Sequence, residues 1–164
     1  MCRTLAVTLG IAFLVSCGQK SPPETGKPVP AAEGARATDT AGSAQSAFAY
    51  EILEHNTPIS MHADSAVAVM LKVRNTSNRA WPMRGMIKTG CYWTDEKGER
   101  VKAPEGRGLP QEEILPGNVA KIKVLVTPPA TPGTYFLTWD MVEEHVVWFG
   151  NRGAVPLKVA ITVS

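Results

Sequence analysis

Residues Ser65 to Asn75 read Ser-Ala-Val-Ala-Val-Met-Leu-Lys-Val-Arg-Asn, and their alternation decides the fold. Val67, Val69, Leu71 and Val73 share one face of an extended chain, while Lys72 and Arg74 take the other. Successive side chains of a strand point to opposite faces, so this pattern predicts a strand with one buried side. Asn75-Thr76-Ser77-Asn78 then supplies turn-forming residues that end it.

The same texture extends in both directions from Phe48 to the end of the chain. Ile87 to Thr94 predicts a second strand, and Asp95-Glu96-Lys97-Gly98 a hairpin turn into a further one over Arg100 to Ala103. Pro116-Gly117 opens a segment in which Val119, Ile122, Val124 and Val126 are apolar, with Lys121 and Lys123 between them. Pro128 and Pro129 stop it, because proline has no N–H for a ladder. Pro132-Gly133 starts a strand over Thr134 to Val142, and Leu157 to Val163 is a last alternating run. No amphipathic pattern of ten residues or more suggests a helix. About seven short strands punctuated by Pro and Gly predict an all-β, two-sheet antiparallel sandwich over residues 48–164. Tyr135 stands two residues before Leu137 at the start of a late strand, the placement of a tyrosine corner; an ordinary strand tyrosine is the alternative.

The first residues carry a different signal. Arg3 precedes an apolar run from Leu5 to Val15, which leads through Ser16 into Cys17-Gly18. This has the layout of an export leader. It falls short of the roughly 20 apolar residues that span a bilayer. A cysteine directly after the small residues predicts a lipoprotein: residues 1–16 are removed and Cys17 carries the lipid that holds the protein to a membrane. Gly18, where an aspartate would favour inner-membrane retention, points by resemblance to other lipoproteins to the outer membrane of a diderm envelope. Residues 17–47 contain Pro22, Pro23, Pro28 and Pro30, four glycines after the cysteine and no aromatic residue. Such a stretch cannot bury enough apolar surface to offset its ordering entropy, and reads as a tether. Its typical reach is about 30 Å.

Composition narrows the function. The chain has 164 residues, a formal charge of +2, 20% charged and 44% hydrophobic residues. Loss of Arg3 with the leader brings the charge to +1, which offers no electrostatic case for nucleic acid. Of the 3 cysteines, Cys2 leaves with the leader and Cys17 takes lipid, so Cys91 has no partner for an internal disulfide.

Several motifs carry a resemblance. The turn before Trp81-Pro82, Leu115-Pro116-Gly117, Pro128-Pro129, Pro132-Gly133-Thr134-Tyr135, Trp139 and Trp148-Phe149-Gly150 form a series over roughly residues 60–164. It resembles the immunoglobulin-like four-tryptophan domain of autophagy receptors and its bacterial relatives. Residues Tyr135 to Val163 also resemble domains appended to bacterial glycosyltransferases and other surface-polysaccharide proteins. The likeness implies an immunoglobulin-like sandwich. It departs from the four-tryptophan pattern in having no aromatic residue at the place in the first strands where that pattern would put one.

The candidate binding constellation is Trp148 and Phe149 with Glu144, Asn151 and Arg152 close by in sequence. Aromatic faces flanked by polar groups suit a polysaccharide or peptidoglycan. The alternative is that the rings plug the end of the sandwich, since one buried aromatic removes about 150–250 Å² from water. Trp81 and Trp139 read as packing residues. His55, His62 and His145 lack the spacing of a metal set, so no metal or cofactor is expected. Cys91, mid-strand beside Tyr92 and Trp93, reads as a buried thiol, and no nucleophile elbow, phosphate loop or dinucleotide fingerprint occurs. The expectation is a non-catalytic, lipid-anchored envelope protein that binds polysaccharide, or alternatively docks an envelope protein.

Overall fold

The alternation of Val69, Leu71 and Val73 buries all three side chains, and the strand they form is the centre of one of two packed sheets. A computed structural model describes residues 46–164. The expected leader, lipid-bearing Cys17 and expected tether, up to residue 45, lie outside the described residues. Among the described residues nine strands follow in order: β1 (Tyr50–His55), β2 (Ser60–Met61), β3 (Val67–Asn75), β4 (Ile87–Thr94), β5 (Gly106–Gly108), β6 (Val119–Val126), β7 (Gly133–Glu143), β8 (Val147–Trp148) and β9 (Leu157–Val163). A 3-10 turn spans Phe149–Arg152.

The smaller sheet has the order β1-β3-β6, and the larger runs β2-β9-β7-β4-β5 with β8 paired to β7. Register places like with like: Val69 lies opposite Val124 and Leu71 opposite Ile122, so both strands bury the same face. In the larger sheet Cys91 faces Trp139 and Trp93 faces Leu137. These side chains meet those of the smaller sheet in one core. Among the described residues the pairings are antiparallel with one exception: β2 runs parallel to β9. The chain leaves the smaller sheet after β1 and joins the edge of the larger one beside β9.

The tyrosine corner forms. Tyr135 Oη donates to the Thr131 carbonyl at 3.0 Å, tying the start of β7 to the chain that enters it. Trp93 and Trp139 are buried with their indole N–H groups satisfied, by the Thr127 carbonyl and Thr57 Oγ1 respectively, each at 3.0 Å. Tyr50 in β1 and Phe48 just before it are partly buried and pack against the core.

The strand expected at Arg100 to Ala103 is displaced. The turn Asp95 to Gly98 forms as read, with Asp95 Oδ1 accepting the Lys97 and Glu99 N–H groups at 2.9 Å. Beyond it only a bridge between Thr94 and Arg100 pairs with β4, and the strand proper is Gly106–Gly108. Its glycines explain the choice. A Cβ at Gly106 would stand 2.9 Å from the Leu125 carbonyl oxygen, and one at Gly108 2.7 Å from that of Lys123. Only residues without a side chain let this edge of the larger sheet press against β6 of the smaller one. Edge exposure is limited elsewhere too. Among the described residues β2 is two residues long, and β1 is interrupted by a bulge between Ile52 and Glu54.

Candidate functional site

Trp148 and Phe149 are neighbours in sequence and point to opposite sides of the larger sheet. β7 runs on to Glu143, and Val146 N–H donates back to the Glu143 carbonyl at 3.0 Å. His145 takes a left-handed φ of 61° in that turn. The short β8 then pairs Trp148 with Val142, and the chain turns at once into the 3-10 segment. Trp148 therefore lies on the outer face. Phe149 is fully buried against Phe48, edge-on at 5.2 Å, and Trp81 at 6.3 Å.

Burial removes Phe149 from the candidate ligand-binding set. It is a core residue, as the plug reading held for both rings. Arg152 is also set apart, because its guanidinium lies 5.7 Å over the Phe48 ring. Trp148, Glu144 and Asn151 do come together, and they line a shallow groove of about 300 Å³ with Arg107, Glu143 and His145. Depressions of similar size occur elsewhere, for example about 310 Å³ beside Glu54 and Met70, so chemistry and not volume singles this one out.

The turn that carries Trp148 is held from beneath. Asp140, buried on β7, accepts the Gly150 N–H at 2.9 Å and the Met141 N–H at 2.7 Å. A Cβ on Gly150 would sit 2.9 Å from Asp140 Oδ2 and 2.8 Å from Pro156, so the contact needs glycine. Burial raises the Asp140 pKa; its backbone hydrogen bonds and the Tyr50 hydroxyl counter this only in part. The Tyr50 phenol is raised in turn, by burial first and then by the Asp140 charge. From the side, Arg79 grips Glu143 with two nitrogens at 2.6 and 3.3 Å and covers the Phe48 ring at 4.9 Å.

Asp140 makes stability depend on pH in a definite sense. Its folded pKa lies above the ordinary value of about 3.9, so the native state holds the proton more tightly than the unfolded chain. Its contribution is largest below pH 4 or so and falls as pH rises through the raised pKa. Denaturant unfolding between pH 4 and 7 should show this decline in wild type and a flatter profile in Asp140→Asn. The variant should lose about 1–2 kcal/mol near pH 4, because its Nδ2, a donor, stands where Oδ2 accepts the Gly150 N–H at 2.9 Å. Identical pH slopes in the two proteins would refute the assignment.

On the outer face, Trp148 rests on β4. A Cβ at Gly90 would meet its ring carbons at 2.7 and 2.8 Å, so glycine here lets the indole lie on the sheet. Tyr92 meets Trp148 edge-on with ring centres 5.1 Å apart. Two arginines cover these rings: Arg100 lies 3.5 Å over Tyr92, and Arg107 lies 4.7 Å over Trp148. Glu144 joins Arg107 at 2.9 Å and Lys88 at 3.3 Å. Partial burial works against ionising Glu144, but those two cations prevail and its pKa is lowered. Glu105 bridges Arg100 and Arg107, each at 2.5 Å.

Tyr92, Arg100, Arg107, Lys88 and Glu105 were not marked by sequence reasoning. The strand alternation of Tyr92 and Trp93 was a usable signal, since a buried Trp93 requires Tyr92 to face outward. Cys91 is fully buried, and burial pushes its thiol up to about 12, so it stays protonated and a poor nucleophile. His55, His62 and His145 are all exposed. No three His, Cys, Asp or Glu side chains among the described residues converge as a metal site.

Comparison with known proteins places this architecture. The family model described as the Ig-like domain from next to BRCA1 gene matches residues 56–163. No curated protein sequence matches the chain. Among solved structures, the CARDB domain of a Pyrococcus furiosus protein is 16% identical, with 70% of this chain and 90% of that one covered and a TM-score of 0.40. The C-terminal domain of wzt is 12% identical, with 74% and 75% covered and a TM-score of 0.46. The two packed sheets and the matched residues together make this chain a member of the family of Ig-like domains described from next to BRCA1 gene.

Proposed function

We propose that the domain is a non-catalytic binding module of the cell envelope, held by lipid on Cys17 and contacting surface polysaccharide or peptidoglycan through the outer face around Trp148. The observation that carries this is the pairing of part-exposed Trp148 and Tyr92 with the guanidinium groups of Arg100 and Arg107 and the carboxylate of Glu144. The exposed parts of the rings offer apolar contact to the C–H side of a sugar, and the guanidinium groups that lie over them offer hydrogen bonds to its hydroxyls. The groove is shallow and open, which suits a polymer passing across it better than an enclosed small molecule. The leader and tether residues support the envelope address, with the outer membrane as the site in a diderm. Neither cofactor nor nucleic acid has a part in this reading.

A second reading has its own observation. Met83, Met86 and Val146 are 54%, 49% and 64% exposed on neighbouring turns, which the Glu144 N–H to Met86 carbonyl bond at 2.9 Å holds together. Exposed apolar side chains so grouped suit docking of an envelope protein.

One experiment serves both parts of the proposal. Cells fed an alkyne fatty acid should label wild type and not Cys17→Ser. The labelled protein should then be retained on purified envelope glycan, and Trp148→Ala should weaken retention about tenfold, the loss of about 1.4 kcal/mol. Glycan retention unchanged in Trp148→Ala would overturn the sugar reading. Crosslinks from Met83 or Val146 to a reproducible protein partner would favour the second. Absence of label would overturn the anchor.

A further inference from the structure

We infer that the pair Arg100 and Arg107 forms a carboxylate-binding fork for an acidic sugar of an envelope polysaccharide, and that Glu105 occupies this fork as an internal competitor. The inference rests on the sugar reading above and names the ligand class for the same face.

The geometry is that of one carboxylate shared by two cations. Glu105 Oε1 accepts from Arg100 Nη1 and Oε2 from Arg107 Nη2, each at 2.5 Å. The arginines come from different parts of the chain, one at the end of the hairpin turn and one on β5. Both are held independently of Glu105. Arg100 lies on Tyr92, while Arg107 lies on Trp148 and is fixed by Glu144 at 2.9 Å and the Gly106 carbonyl at 2.9 Å. A guanidinium positioned by an aromatic face has lost much of its freedom before any ligand arrives, which favours a second carboxylate in the same place.

Glu105 itself is poorly held. It stands on the loop before β5, its side chain is 39% exposed, and it pairs with the two arginines. Exposed ion pairs contribute about 0–1 kcal/mol, so release costs little. The cluster of Lys88, Arg100 and Arg107 against Glu105 and Glu144 carries one net positive charge, and two once Glu105 swings away. An incoming carboxylate restores that balance. A sugar acid fits better than an acidic peptide, because the part-exposed remainder of the Trp148 and Tyr92 rings, beside the guanidinium groups that lie over them, adds apolar contact for a sugar ring next to the fork.

Competition reduces apparent affinity by the fraction of molecules whose fork is open. Titration calorimetry of the full chain with galacturonate oligosaccharides should therefore show tighter binding in Glu105→Gln, by about five- to tenfold. Arg100→Ala should weaken it by at least about tenfold and Arg100→Lys by less, since lysine keeps the charge without the fork. Carboxyl-reduced oligosaccharides should bind wild type and Glu105→Gln alike. Arg100 is exposed, so unchanged thermal unfolding will exclude a folding defect. Three results would overturn the inference: equal or weaker binding in Glu105→Gln, equal binding of the reduced oligosaccharide, or tighter binding of polyglutamate than of the sugar acid. Retention on neutral glycan that is sensitive to Trp148 but blind to Arg100 and Glu105 would sink this inference and leave the broader sugar reading standing.

Discussion

Phe149→Ala is expected to lower the unfolding free energy by about 3–5 kcal/mol, the range for removing a fully buried aromatic ring. The ring is inaccessible and sits at the end of the sandwich among Phe48, Tyr50 and Trp81, at ring distances of 5.2, 6.2 and 6.3 Å. Its contacts join the segment before β1, the loop after β3 and the turn after β8. Collapse around the missing ring is limited because Asp140 fixes Gly150 next to it from the other side. The neighbouring Trp148→Ala should cost only about 1–2 kcal/mol despite the larger side chain, since the indole is part-exposed and lies on the sheet surface. Urea unfolding of the two variants checks this directly. A loss larger for Trp148 than for Phe149 would mean that the inward and outward assignments are reversed.

That contrast also shows how far the sequence could be read. β3, β4, β6 and β9 were legible because each has four or more alternating positions, and a period of two repeated that often has one interpretation. Trp148-Phe149 has two positions only. Strand alternation says that one ring faces in and the other out, but a two-residue β8 followed by a 3-10 turn gives no further residue to say which. The Arg100–Ala103 expectation failed for a related reason. Gly106 and Gly108 form the strand through a close approach to the Lys123 and Leu125 carbonyls, a contact with a segment far along the chain that no local pattern announces. Tyr135 could be read because its bond reaches only four residues back, to Thr131. The site divides in the same way. Trp148, Glu144 and Asn151 lie within eight residues and were found together, whereas Arg100, Arg107 and Tyr92 reach them only through the β4–β7 and β4–β5 pairings.

Asn75→Ala should prove nearly as damaging as Phe149→Ala, about 3 kcal/mol, although asparagine at a strand end reads simply as turn chemistry. The side chain is fully buried. Its Nδ2 donates to the Arg79 and Ile114 carbonyls, both at 2.8 Å, and its Oδ1 accepts the Ser77 N–H at 3.0 Å and the Ser77 hydroxyl at 2.6 Å. Removing it strands buried groups at about 1–3 kcal/mol each. The total is held down because both carbonyls keep another donor: Ser77 Oγ for Arg79, at 3.1 Å, and the Trp81 N–H for Ile114, at 2.9 Å. The effect should reach the site, since this loop delivers Arg79 to Glu143 at the base of the Trp148 turn. Asn75→Asp separates the hydrogen-bond account from a simple volume effect. The carboxylate can still accept from Ser77 but faces two carbonyl oxygens without a proton to offer, and the protonated acid can donate to one of them. Its folded pKa must then exceed the ordinary value of about 3.9, so the variant should be least stable at neutral pH and recover as pH falls through that raised pKa. Equilibrium unfolding of Asn75→Asp from pH 7 to pH 4, referenced to wild type at each pH, measures the recovery. A constant difference across that range would show that the two donated bonds do not hold the loop.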